Sequence, residues 1–528
     1  MSSNSLSINV KTEKTMKRSL LAAACVLMGL STANAAQTTL NVGMGSADAG
    51  KLDPHIATTT PDKGLLHWMY NGLVRIKPGQ ASPQFIEPDL AESWTSSADG
   101  LTWTFKLRKG VQCHGKYGEF DAEDAVFSIQ RAANKETSSF AKDFGAVGSV
   151  EATGSYEVKI TLTEPVPSLL GLLVPYHGGN MVCKDAVEDL GEDYQRSPIG
   201  TGPFMFADYQ PQQYVKLVAN EDYFRGAPRI KEIYYRYIPS DASRDLAFQS
   251  GEIDLIYGKQ DQTWIDRIKK IPNTEVVVME PGEMSVIHLN MTMPPLDNPL
   301  VRQAVAHAID RDLMVQFKGP EVTRKSVSVV PEGYLGYTND ITKYPHDPAK
   351  AKALLTEAGF PNGVTLKTIH TTLSGMLSTM EAVQATLKKS GINLEITTVE
   401  HATFHAQIRK DLSQVVHYSA ARFPVADVYL TQFFDSASIV GTPTAVTNFS
   451  HCNVADAEIR AARVESDSKK QLALWKTAQQ KIMDTVCAVP IFQNLQLWAW
   501  NSSLDLGVDV KGSLNLSPPV TEQAYFKN

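Results

Sequence analysis

The 528-residue sequence lacks the common catalytic motifs, so an enzyme is possible but unsupported. It has no Gly-x-Ser-x-Gly elbow to expose a nucleophilic serine. It has no His-Glu-x-x-His to hold a catalytic zinc, and no phosphate loop. Gly200-Thr201-Gly202-Pro203 is glycine-rich, but Pro203 lacks the amide a phosphate cradle needs, so the run reads as a turn before Phe204. The carboxylates and the twelve histidines are scattered, with no pair that the sequence brings to one site. An exported hydrolase thus has no motif in its favour. Beyond the N-terminus, no apolar run approaches the ~18 residues a membrane-spanning helix requires. There is no excess of basic charge either: the formal net charge is −7, which points away from nucleic acid and from anionic membrane surfaces. Internal repeats and low-complexity linkers are absent as well.

What is present starts with a leader. Met16-Lys17-Arg18 is a basic head, Ser19 to Ser31 an apolar run, and Ala33-Asn34-Ala35 a small-x-small cleavage site. That plan is a secretory signal peptide over residues 1–35 and implies export to the periplasm. Residues 1–15 fit no part of it, so Met16 is read as the start. Two alternatives are a buried N-terminal helix and a lipoprotein site at Cys25, before which the apolar stretch is too short. Residues 1–35 carry a net +3, so the remaining 493 carry −10, with the length of two or three domains.

Four cysteines remain after the leader. Cys113 and Cys183 fall in one segment and Cys452 and Cys487 in another, so those are the disulfides expected; four buried thiols is the alternative. Cys113-His114 and His451-Cys452 are isolated pairs with no close third ligand, a weak basis for a metal site. No cofactor is expected.

Strand and helix patterns mix along the chain, an α/β or α+β class. Leu40, Val42 and Met44 alternate with other residues, as do Leu101, Trp103, Phe105 and Leu107 after the Asp99-Gly100 turn. Asp121 with Asp124 is placed to cap a helix with Val126, Ile129 and Ala133 on its apolar face. Asp297 and Pro299 open a second helix with Val301, Ala304, Val305, Ala308 and Ile309 buried. Asp347-Pro348 opens a third, stopped at Gly359.

A set of ordered motifs goes further. Pro88-Asp89-Leu90-Ala91-Glu92-Ser93-Trp94 leads to Asp99–Phe105, Leu107–Val111 and Phe120–Ser128. With these come Leu52–His55, Tyr70–Val74, Gly200–Phe204, Asn298–Ala304 and Ala353–Phe360. From about Leu40 to Leu504 the chain resembles the extracytoplasmic solute-binding proteins of the dipeptide/oligopeptide/nickel ABC importers, solute-binding protein family 5. The resemblance implies a periplasmic binding protein-like fold of the type II, large three-domain class, with two lobes closing about a hinge. Domain I would comprise residues 36–75, 197–283 and 497–528, domain II the insertion 76–196, and domain III residues 284–496. Chain crossings near Glu283 and Leu497 would form the hinge. A peptide or small solute would be buried between domains I and III and delivered by a monomer to ABC permease subunits, without any chemistry. A sensor or chaperone-like binder using the same clamp is the alternative.

The resemblance also bears on the ligand. Peptide binders of this family hold the ligand's α-amine with an aspartate in a segment similar to Trp-x-Ala-Asp-Tyr-Pro-Asp-Pro-Asp. Here Ser419–Asp427 matches it, and Arg422 stands where that aspartate would. A guanidinium repels an ammonium and holds a carboxylate or phosphate with two parallel hydrogen bonds. The ligand is then a small organic anion, an acidic amino-acid conjugate or a peptide held by its carboxylate, with haem or a metal chelate as rivals. In the competing reading Arg422 pairs with Asp427 or another internal acid and braces its loop. Tyr418 is the nearest substitute for the missing tryptophan. Further wall candidates are Ser46 and Asp48 after the first strand, His401, and Phe492 and Asn494 on the return to domain I. Trp498 and Trp500 read as core.

Overall fold

The computed structural model describes residues 37–166, 168–441 and 447–527. The expected leader lies outside them.

Leu40, Val42 and Met44 are buried along the strand Thr39–Met44, as their alternation requires. Glu232–Tyr237 and Leu255–Tyr257 flank it in parallel. Among the described residues this is the centre of a nine-stranded mixed sheet. From one edge its order is Val415–Ala420, Thr274–Leu289, Ala488–Asn501, Leu255–Tyr257, Thr39–Met44, Glu232–Tyr237, Tyr214–Ala219 and Phe204–Gln210. Thr323–Lys325 also pairs with Ala488–Asn501.

Two strands dominate the sheet. Thr274–Leu289 and Ala488–Asn501 run antiparallel from Thr274 opposite Asn501 to His288 opposite Ala488. The register breaks between Met279 and Glu283 and again between Ser285 and Val286. On one side of the breaks the pair borders Leu255–Tyr257; on the other it borders Val415–Ala420 and Thr323–Lys325. Separate from this sheet, Ala91–Ser96, Thr102–Leu107, Glu157–Leu162 and Val147–Gly154 form a four-stranded antiparallel sheet. Val364–Thr371 and Ile392–Val399 form a parallel pair.

The helix Ala122–Ala133 carries the expected capping box: the Asp121 carboxylate accepts from the Glu123 and Asp124 amides, and that of Asp124 from the Asp121 amide. Its buried stripe is Ala122, Ala125, Ser128, Ile129 and Ala132; Val126 and Ala133 are only half-buried. The stripe is displaced because Ser128 is held against Val182, donating to its carbonyl at 3.0 Å and accepting from its amide at 2.8 Å. Asp121→Ala is expected to cost about 1 kcal/mol of stability, read as a lower urea midpoint at unchanged slope. The second helix, Pro299–Ala308, is capped by Asn298, not Asp297, because the Asn298 side chain reaches the Leu300 amide at 2.9 Å.

Both expected disulfides are formed, Cys113–Cys183 and Cys452–Cys487. They consume the thiols of the two Cys–His pairs. The resemblance motifs meet one another in space. Asn71 donates to both oxygens of buried Asp89, the Gly72 amide donates to Asp89, and Thr201 donates to the Asn71 carbonyl. Gly202 lies so close to Met69 that a Cβ would sit 2.4 Å from its carbonyl carbon. Gly200–Pro203 is therefore a turn packed on backbone, and these motifs build the fold and leave the ligand open.

Candidate functional site

The carboxyl ends of the three parallel strands mark one wall of the site, as in open α/β sheets generally. Gly45-Ser46 leaves the central strand there, and the Ser46 hydroxyl is buried with no protein partner among the described residues. Asp48, two residues on, is already occupied. One carboxylate oxygen accepts from the Ala49 amide, the Gln212 amide and the Tyr209 hydroxyl at 2.8–3.0 Å. These bonds brace the loop.

Arg422 lies just beyond the strand Val415–Ala420 and is half-buried. Its Nε donates to Gln432 Oε1 at 2.5 Å, one Nη donates to the Ala421 carbonyl, and its guanidinium lies 5.3 Å from the centre of the Phe433 ring. The Tyr334 hydroxyl donates to its carbonyl oxygen at 2.8 Å. Asp427 does not brace it: that carboxylate lies 3.8 Å from Arg463, and its other oxygen is buried without a partner. Among the described residues no carboxylate comes within ion-pair distance of Arg422, so the guanidinium is positioned while its charge is left unpaired. Tyr418 packs on Phe433 and Phe449, and with Met284, Val286, Tyr429 and Phe434 it lines a small apolar recess beside this arginine.

The opposite wall comes from segments that sequence reasoning did not single out. Lys63 is on the helix Thr60–Leu66, whose N-cap Thr59 and first-turn Pro61 fix its start. Its ammonium is 3.4 Å from His177 Nε2 and 5.1 Å from the centre of the Tyr176 ring. The imidazole of His177 is stacked between Phe140 and Tyr176, at 4.4 and 3.8 Å. The short helix Leu169–Leu172 reaches across to the Arg422 segment. A Cβ on Gly171 would lie 2.4 Å from the Phe423 ring, so only glycine lets the two meet this closely.

Glu283 stands between these walls, at the register break of the long strand pair. Asn494 is its direct partner across the ladder, on the same face. Burial pushes the Glu283 carboxyl up, while the charges of Lys63 and Arg422 pull it back. Burial, reinforced by the like charge of Arg422, lowers Lys63 to about 8 against the pull of Glu283. Burial and the two cations hold His177 well below the usual imidazole range, so it is neutral at pH 7. Each charge feels the others, yet Lys63 and Arg422 make no ion pair with Glu283.

Of the other expected wall residues, Asn494 is half-buried beside Glu283. Phe492 is 1% exposed and packs in the core, as Trp498 and Trp500 do. His401 is on the helix His401–Ile408. It bonds Thr371 Oγ1 and His405 Nε2 at 3.1 and 3.2 Å, and only His405 touches Tyr418. Two of the overlooked residues left a trace in the sequence. Lys63 interrupts a run of buried residues, and Glu283 puts a charge between buried Gly282 and Met284.

The fold and sequence match known proteins. Residues 86–440, two thirds of the chain, match the family model for the middle region of bacterial extracellular solute-binding proteins, family 5. The chain belongs to that family. Its members are substrate-binding components of ABC importers working outside the cytoplasm, and this solute-binding protein is one of them. It is 48% identical to the structure of MoaA from A. tumefaciens R10 in complex with mannopinic acid, with a TM-score of 0.84 over 93% of this chain and 100% of that one. It is 27% identical to DppA from Helicobacter pylori in complex with the peptide STSA, with a TM-score of 0.79 over 93% and 99% of the two chains. The curated Heme-binding protein A of Haemophilus influenzae is 28% identical over 80% of this chain and 81% of its own. These relatives are binding proteins, not enzymes, and their two-lobed type II fold is the one described above.

Proposed function

We propose that this solute-binding protein captures a small organic acid in the cleft lined by Lys63, Tyr176, Glu283 and Arg422. It then presents the acid, chemically unchanged, to the permease of its importer. One observation carries the reading: Arg422 is held in place by Gln432 and Phe433 but has no carboxylate partner among the described residues. A cation fixed in a half-buried cleft is costly unless an anion arrives to meet it. The mannopinic acid in the 48% identical MoaA structure, an acid by name, supports the same reading. A peptide is the second reading, favoured by the peptide-bound DppA structure, and it would be anchored here by its carboxylate.

The protein would be exported after cleavage near Ala35 and act as a monomer. Its lobes would be domain I (residues 36–75, 197–283 and 497–528) with the insertion 76–196, and domain III (residues 284–496). They would close about the crossings near Glu283 and Leu497. Closure requires that the ligand touch both lobes, and Lys63 and Arg422 supply one cation from each. Mannopinic acid is expected to bind one to one and, at a hundredfold excess over Kd, to add about 2.7 kcal/mol of stability. Small-angle scattering is expected to show the protein compacting as it fills. Saturation without compaction, or recovery of an altered ligand, would count against a clamp that performs no chemistry.

A further inference from the structure

Away from the ligand cleft, the insertion 76–196 and domain III meet along a second seam. Glu164 and Val166 of the insertion face Val425, Asp427, Arg463 and Trp475 across a cavity of about 50 Å³. The next residues along both segments are in close contact: a Cβ on Gly171 would lie 2.4 Å from the Phe423 ring. Two buried polar atoms on residues lining the cavity have no partner among the described residues, Asp427 Oδ1 and Trp475 Nε1. The other Asp427 oxygen lies 3.8 Å from Arg463 Nε, an ion pair without a hydrogen bond. An ionised carboxylate held this way is costly, because one oxygen has lost water and gained nothing.

The charges around Asp427 divide by lobe. Arg463 is in domain III, as are Asp435 and the Arg460 that holds it at 2.9 Å. These accompany Asp427 whether the lobes are apart or together. Trp475, also in domain III, brings no charge. Glu164 alone comes from the other lobe, with the residues that cover the cavity. In the seam, burial pushes the Asp427 carboxyl up to about 6; Arg463 pulls it back, and the negative charges of Asp435 and Glu164 push it higher. Parting the lobes returns Asp427 to water and removes Glu164 while leaving Arg463 in place, so the carboxyl falls back toward the ordinary ~3.9 of an aspartate.

We propose that this seam is a proton-linked latch: closing the lobes buries Asp427 against the insertion and takes up one proton from solvent there, so the protein holds its ligand more tightly as pH falls. The proposal rests on the clamp reading above. The ligand still drives the swing, and the proton sets how firmly the closed form is kept. Between about pH 4 and about pH 6 the closed form binds more protons than the open one, so closing is favoured as pH falls through that window. Below it both forms are protonated and the gain levels off.

The test uses the full mature protein with mannopinic acid as the probe. Calorimetry compares wild type, Asp427→Asn and Glu164→Gln at about pH 7.5 and about pH 5, where the wild type is expected to gain about tenfold more affinity on acidification than Asp427→Asn does. Proton uptake on binding is expected to appear as a heat that depends on the buffer, in the wild type and not in Asp427→Asn. Asparagine mimics the protonated acid, so Asp427→Asn is expected to bind at least as tightly as the wild type at the higher pH. Glu164→Gln, at an exposed position, is expected to shrink the pH dependence without harm to the fold. The opposite sign overturns the latch. If Asp427 works ionised, as the partner of Arg463, Asp427→Asn binds more weakly at the higher pH and the wild type gains less on acidification than the variant. Equal pH dependence in the two overturns it as well, while the clamp reading stands. No binding at either pH sinks the acid-capture reading, and the latch falls with it.

Discussion

Arg422→Ala is expected to weaken ligand binding by roughly thirtyfold to several thousandfold, with little loss of fold. Truncating one partner of a buried charge pair costs on the order of 2–5 kcal/mol, much of it because the other charge is left without a partner. Here that other charge belongs to the ligand. Fold is spared because no charged partner is left behind: the Arg422 side chain bonds Gln432 and its neighbour's carbonyl. Arg422→Lys is expected to restore part of the affinity, since an ammonium brings the charge but not the planar fork. Arg422→Asp is expected to be worse than alanine, because it sets a second carboxylate beside Glu283. Calorimetry on the three variants orders them. Affinity within threefold of wild type in Arg422→Ala would leave this arginine a brace for Phe433 and nothing more.

Loss of either disulfide is the other large expected effect, on stability rather than on binding. Cys113–Cys183 spans 70 residues and Cys452–Cys487 spans 35. Each bridge of such span removes about 4 kcal/mol of freedom from the unfolded chain in the loop-entropy model, the longer one by about 0.6 kcal/mol more. Double replacement of either pair by alanine is expected to lower stability by about 2–4 kcal/mol, seen as a lower melting temperature. The two differ in what they hold. Asn448 donates to the carbonyls of Asp435 and Cys452, so the second bridge tethers the end of the helix Ala426–Phe434 that carries Gln432 and Phe433. Removing Cys452–Cys487 is expected to loosen the ligand site as well, whereas removing Cys113–Cys183 leaves affinity intact. Melting temperatures of both double-alanine variants equal to that of wild type would show that neither bridge contributes to stability.

The fold was legible where local chemistry decides it. Alternation revealed the strands at 39–44 and 102–107, and the Asp121 capping box stands where its spacing implies. The ordered motifs made the family plain because they are the residues that hold one another, as Asn71, Asp89 and Thr201 do. The site was legible only in part. Arg422 stood out because its sign contradicts a pattern, and signs survive in a sequence. Lys63, His177 and Glu283 did not, because what gathers them is a meeting of segments more than a hundred residues apart. Nor did the sequence show that Asp48 is tied to the Tyr209 hydroxyl or that Phe492 is buried in the core, since both ties run between distant segments. The apolar stripe of the helix at 122–133 was misjudged by about one position, since Ser128 faces inward to serve Val182, a duty that hydrophobicity does not report.

The position of Glu283 at the register break has a mechanical meaning. If the long strand pair is the pivot, Glu283 sits at the fulcrum of a lever, and a point at the fulcrum does not travel. Whatever it grips is gripped equally in the open and the closed protein. Arg422 is out on one arm and Lys63 on the other, and their hold on a ligand exists only once the arms have swung together. Only that second hold differs between the two states, so it alone can drive the swing. A molecule that met only one arm would therefore dock and leave the jaws apart. It would occupy the protein, block the true cargo, and never be handed on.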